Sequence, residues 1–103
     1  MIRIEDIQSL CHDESIALTS HAKNRLQERG ISIENVKTAI INGEIIEHYK
    51  DDKPFESCLV SGNTELSQVL HVVASIGSNF LFIITAYYPD VEEWESDFKT
   101  RKE

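Results

Sequence analysis

The sequence predicts an α+β domain, with N-terminal helices packed on one face of a roughly four-stranded antiparallel sheet and a short helix at the C-terminal end. Two features carry that expectation. Up to Asn42 the apolar residues recur at helical spacing, whereas from Glu44 to Tyr88 they fall into short runs rich in β-branched and aromatic residues. The turns between those runs are a few residues long, enough for hairpins and too short for parallel crossovers.

Ile4, Ile7, Leu10 and Cys11 define a short first helix that stops by His12-Asp13-Glu14. Ile16 to Leu18 is a brief extended piece leading into a cap at Thr19 or Ser20. If Ser20 is the N-cap, His21 takes the first helical position, and Arg25 and Arg29 follow one and two turns later on the same side. This second helix turns Ala22 and Leu26 toward the core and ends at Gly30, a residue suited to the left-handed C′ position. Ser32 then caps a third helix from Ile33 to Asn42, with Ile33, Val36, Lys37, Ile40 and Ile41 on one face and Asn42-Gly43 as its stop.

Beyond Gly43 the period changes. Glu44 to Lys50 alternates loosely, and Asp51-Asp52-Lys53-Pro54 is a strong turn signal. Ser57 to Gly62, Val69 to Ile76 and Asn79 to Tyr88 are three further strands, the last two dense enough in β-branched and aromatic residues to be covered on both faces at the sheet centre. Tyr88-Pro89-Asp90 closes the sheet, and Val91 to Phe98 reads as the final amphipathic helix, stapled to the core by Trp94 and Phe98 at i and i+4. The sheet face away from the helices is then free for function.

At 103 residues and 41% hydrophobic content the chain makes one domain, 1–103, without repeat or linker. Its apolar runs are too short to span a bilayer and no signal-like segment opens it, so a cytoplasmic, non-membrane protein is expected. Cys11 and Cys58 lie far apart and read as free thiols. A net charge of −8 opposes broad, sequence-blind binding to polyanions and suits docking to a basic protein partner. The charge is unevenly spread, however, and Thr19 to Gly30 is locally positive through Lys23, Arg25 and Arg29. His21, His71 and Cys58 offer no pair of ligands at short spacing, so neither a metal nor any other cofactor is expected.

Three phrases also resemble a known family. Ser20-His21-Ala22-x-x-Arg25-x-x-Glu28-Arg29-Gly30-Ile31, then Asn42-Gly43-Glu44-Ile45-Ile46-Glu47, then Ile84-Thr85-Ala86-Tyr87-x-Pro89 are similar to the small bacterial family known as domain of unknown function 4258, over about residues 18–102. That family is similar in architecture to the RelE/ParE-like toxins, which are related in fold to barnase-type ribonucleases. The resemblance implies a RelE-like toxin architecture, RNA as substrate, an antitoxin-like protein as partner, and metal-independent cleavage in a bacterial toxin–antitoxin type system. His21 and Arg25 match its first phrase, and His71 and Tyr87 match polar positions on its strands.

Metal-free RNA cleavage needs a base for the 2′-hydroxyl proton, cations for the charge developing on phosphate, and an acid for the leaving oxygen. His21 as base, Arg25 as cation, and His71 or Tyr87 as acid make the expected catalytic set, with Arg29 and Lys23 as substrate-binding cations. Each also has a structural reading: a first-turn histidine bonded to a carbonyl, arginines paired with glutamates, a core histidine, a tyrosine tying down a turn. The competing functions are a non-catalytic protein-binding or regulatory module or degenerate toxin, and a domain that uses the same arginines for a small anionic ligand.

Overall fold

A computed structural model describes all 103 residues. The elements are α1 (Ile4–Ser9), β1 (Ile16–Leu18), α2 (Ser20–Glu28), α3 (Ile33–Ile41), β2 (Glu44–Tyr49), β3 (Ser57–Asn63), β4 (Val69–Gly77) and β5 (Phe80–Tyr87). Local chemistry sets the helix ends. The Thr19 hydroxyl accepts the Ala22 amide at 3.0 Å, so Thr19 rather than Ser20 is the N-cap of α2, and His21 moves to the second helical position. Gly30 takes φ +67°, and the amides of Gly30 and Ile31 close back on the carbonyls of Gln27 and Leu26. Two residues on, Ser32 and Asn35 bond each other's backbone amides and start α3.

The sheet has the order β1-β5-β4-β3-β2. Strands β2 to β5 form the expected antiparallel meander in sequence order. The four-stranded antiparallel reading is nevertheless incomplete: β1 joins as a fifth strand, parallel to β5, with Ile16 opposite Leu81 and Leu18 opposite Ile83. Three residues cannot display a period. The crossover that a parallel pair requires is here supplied by everything between β1 and β5.

All three helices lie on one face. Ile7, Leu26, Val36, Ala39 and Ile40 meet Cys58, Val60, Leu70, Val72, Leu81 and Ile83 there, all buried, each large aliphatic side chain contributing about 1.5–3 kcal/mol. Helix α3 sits directly on the β3 backbone at Gly62, where an added Cβ would lie 1.9 Å from the Ala39 carbonyl oxygen.

Two β-bulges decide what reaches the other face. The register between β2 and β3 shifts between Ile45 and Glu47, and that between β4 and β5 skips Ile84. Each extra residue inverts the alternation beyond it. Ile45 and Ile83 therefore face the helices, whereas Glu47 and Tyr87 face away from them, and Ile84 is left exposed.

The segment after Tyr87 crosses that second face, but not as the helix expected over Val91 to Phe98. The Asp90 carbonyl and carboxylate hold one turn at Glu92 to Trp94, and Phe98 adopts φ +55° with its amide on Glu95. Asp97 captures the amides of Lys99 and Thr100, and Trp94 bridges antiparallel to Arg101. Aspartates that bond nearby amides favour turns over helix, and here they win over the i, i+4 spacing of Trp94 and Phe98. Trp94 is still buried, against the sheet rather than along a helix. No helix is long and apolar enough to cross a membrane.

Candidate functional site

The face opposite the helices carries two zones. The first is an open groove of about 600 Å³ across the β1 end of the sheet. Phe82 and Ser75, register partners on β5 and β4, form part of its floor. Lys53, Pro54 and Phe55 of the β2–β3 loop make one wall, and Ala17, Thr19 and His21 make the other. The Phe55 ring stacks on Phe82 with centroids 6.2 Å apart and lies over Gly77, where a Cβ would come 2.3 Å from the ring. Ser57 holds Asp52 by a hydroxyl-to-carboxylate hydrogen bond, and Ser75 donates to the Glu56 carbonyl at 2.6 Å, so the loop is tied to the strands beneath it.

The second zone is a polar cluster that runs diagonally over the same face, from His71 and Tyr87 at its far end to Glu47 and Tyr49 on the β2 edge. His71 is fully buried. Its Nε2 lies 2.7 Å from the Phe98 carbonyl oxygen, which can only accept, so Nε2 carries the proton and Nδ1 accepts from the Tyr87 hydroxyl at 3.4 Å. The Trp94 ring packs edge-on against the imidazole at 4.6 Å. Glu47 accepts from the Tyr49 hydroxyl at 2.5 Å and takes Arg101 in a fork at 2.8 and 3.2 Å. The Arg101 guanidinium lies 4.4 Å from the Trp94 ring centre.

Titration in this cluster follows from the packing. Burial pushes His71 below its ordinary value of 6.5, against the pull of the Phe98 carbonyl and Glu47. For Glu47 burial acts upward, but the hydrogen bonds from Arg101 and Tyr49 outweigh it and hold the carboxyl below its usual range. Burial and the Glu47 carboxylate push the Tyr49 phenol up to about 12. Burial likewise raises Tyr87.

The expected catalytic residues are thus divided. His21 opens onto the groove. Arg25 and Lys23 are exposed on α2, Arg25 paired with Glu28 at 3.8 Å. Arg29 is engaged structurally: its Nη1 donates to the Ala86 carbonyl at 2.9 Å and the Thr85 hydroxyl at 3.1 Å, covering β5 where its pairing with β1 has ended. His71 and Tyr87 meet each other, as register partners on adjacent strands, but under the C-terminal segment. From Ser75 to His71 is four residues of β4, about 13 Å at roughly 3.3 Å per residue.

The family described as Domain of unknown function (DUF4258) matches residues 18–88. The chain belongs to that family. No curated protein and no solved structure matches it. The DUF4258 match takes in the groove, except Ala17, and the strand residues of the polar cluster; it stops short of the segment that covers them.

Within this DUF4258 domain, sequence reasoning missed Phe55, Phe82 and Lys53 at the groove and Glu47 and Tyr49 in the cluster, and beyond it Arg101. Lys53 and Phe55 sit in a turn whose position over the sheet no local pattern encodes. Glu47 reaches the cluster only because of the bulge at Ile46. A signal did exist for Arg101, in the basic residues Lys99, Arg101 and Lys102 that follow Trp94.

Proposed function

We propose that this chain is a toxin-like, metal-independent RNA endonuclease of a bacterial toxin–antitoxin type system, with its substrate in the groove headed by His21. The observation that supports this reading most is the pairing of an exposed imidazole with a stacked aromatic floor in one groove. Its volume of about 600 Å³ falls within the range of small-molecule sites, and a base laid on Phe55 or Phe82 gains stacking energy whatever its identity. Lys53 across the groove and Arg25 one turn below His21 supply cations for phosphate. Helices on one face of an antiparallel meander also suit kinship with RelE/ParE-like toxins, and an antitoxin-like protein is the partner this proposal entails.

In this mechanism His21 removes the 2′-hydroxyl proton as the oxygen attacks phosphorus. The P–O5′ bond breaks, the 5′ oxygen takes a proton from water in the open groove, the His21 imidazolium returns its proton to solvent, and the products are a 2′,3′-cyclic phosphate and a 5′-hydroxyl. Arg25 or Lys53 balances the charge developing on the phosphate oxygens.

Purified protein should cut single-stranded RNA in EDTA and leave cyclic phosphate ends. His21→Ala should slow cleavage by about 10²-fold while keeping the thermal midpoint, because the side chain is exposed. RNA left intact by the wild-type protein, together with a His21→Ala variant that no longer folds, sinks the proposal.

A second reading, a protein-binding module, draws on a different observation. Phe55, Phe80 and Ile84 are each 41% exposed beside the groove, on a body of net charge −8. A basic protein that binds the wild type and is released by Phe80→Ser, with RNA untouched, favours that reading.

A further inference from the structure

We propose that residues Asp90 to Lys102 form a displaceable cover, and that the row beneath it, His71, Tyr87, Tyr49 and Glu47, is a second ligand site for a single RNA strand running on from the groove. The identity of the ligand rests on the RNA reading above; the cover does not.

Four observations carry this. The segment has no helix and only one isolated bridge, Trp94 to Arg101. Trp94 is its one buried side chain, with Phe98 partly buried and the rest exposed. One hydrogen bond from the buried His71, its Nε2–H to the Phe98 carbonyl at 2.7 Å, also ties it to the sheet; the other ties are solvent-reached, Arg101 to Glu47, with Arg101 52% exposed, and Lys99 to Glu44 at 3.1 Å. The exposed Lys99–Glu44 pair holds the segment weakly, which leaves the Arg101 fork on Glu47 as the ion pair that matters.

The closed state is also imperfect. The Trp94 Nε1–H is buried without any partner, and it alone among the buried side-chain polar atoms is in that position. Burying a donor unpaired costs free energy that lifting the segment into water recovers.

What lies beneath is the third point. A cover whose only task is to shield a sheet face would lie on apolar side chains, as the helices do on the other side. This face does carry the buried Leu59, between Glu47 and Val73, but the side chains that bond one another or the cover itself are an imidazole, two phenols and a carboxylate. Uncovered, they offer donors to phosphate and an acceptor to a ribose 2′-hydroxyl, the group that separates RNA from DNA.

Position is the fourth. His71 and Ser75 share the outer face of β4, so a strand with one base on Phe82 crosses this row within two or three nucleotides, at the roughly 13 Å set by strand geometry.

Amide hydrogen exchange on the full chain, with and without a 2′-O-methyl oligoribonucleotide that cannot be cut, tests both parts. The amides of Glu95 and Lys102, bonded to Thr100 and Glu93 carbonyls, should exchange at least about tenfold faster than those of the β3–β4 ladder. Arg101→Gln should speed them about tenfold more, leave the ladder unchanged and tighten oligonucleotide binding about fivefold, the fraction open limiting affinity. Lys99→Ala should move the same readouts in the same direction by less. Cover amides that exchange only as slowly as the ladder, in both variants, would overturn the cover. A cover that opens while wild type and Arg101→Gln bind the oligonucleotide equally would overturn the hidden site. Binding by neither protein, with no cleavage, would fell the RNA reading and its ligand while the exchange data still decide the cover.

Discussion

His71 donates its Nε2–H to the Phe98 carbonyl at 2.7 Å, joining the middle of the sheet to a residue of positive φ in the C-terminal segment. That bond fixes the imidazole as the Nε2–H tautomer and leaves Nδ1 to accept from Tyr87.

Stability should therefore depend on pH through this residue. Tyr87 on β5, Glu47 on β2 and Arg101 on the C-terminal segment face it, and burial sets the balance, keeping its folded-state pKa below 6.5. Just below pH 6.5 the unfolded chain takes up a proton that the folded chain refuses, so stability present above pH 6.5 is lost as the pH falls through that window. Glu47, held low by Arg101 and Tyr49, adds a second loss in the carboxylate range. Urea midpoints measured from pH 8 to about pH 2 should fall in two steps, and His71→Gln should remove the upper one.

Gly62→Ala tests the seat of α3. The new methyl would stand 1.9 Å from the Ala39 carbonyl oxygen, and backbone cannot rotate aside as a side chain can. Overpacking of this kind costs about 1–3 kcal/mol or more, so the denaturation midpoint should drop well below that of the wild type. An unchanged midpoint would mean that α3 does not press on β3.

The two arginines of α2 should separate under substitution. Arg29→Ala leaves the Ala86 carbonyl and Thr85 hydroxyl without their donor and should cost about 1 kcal/mol of stability. Arg25 is exposed and makes one ion pair, with Glu28, so Arg25→Ala should change stability by no more than about 0.5 kcal/mol. On RNA cleavage the order reverses, with Arg25→Ala slowing the reaction about 10²-fold. Paired melting curves and rate measurements decide it.

Phe55→Ala should weaken binding of a short single-stranded oligoribonucleotide by about 1–3 kcal/mol, the contribution of one base stacked on an aromatic ring. Fluorescence anisotropy gives the comparison. Equal affinity would remove the aromatic wall from the binding site.

Much of the fold was legible because its signals are local. Thr19, Gly30 and Ser32 act on amides within a few residues, and the β3 to β5 runs are dense enough to announce themselves. Three things were not local. Ile16 to Leu18 becomes a strand only because β5 offers it an edge. Ile46 and Ile84 invert the alternation beyond them, which sends Glu47 to the outer face against its apparent pattern. Trp94 and Phe98 imitate a helical pair, while Asp90 and Asp97 spend the same stretch on turns. The site divided for the same reason: His21 was found from its place on a helix, but its neighbours Phe55 and Phe82 arrive from a loop and a strand far along the chain.

The parallel pairing of β1 with β5 also sets an order of assembly. Strands β2 to β5 can zip up through neighbouring hairpins, whereas Ile16 finds Leu81 only after the intervening chain is in place, the contact with the greatest loop to close. Ala17 and His21 stand against Phe82 only once that contact has formed. The groove is thus completed by the strand pairing with the longest loop to close, and a chain with its meander intact but β1 unpaired lacks the Ala17 and His21 side of the site.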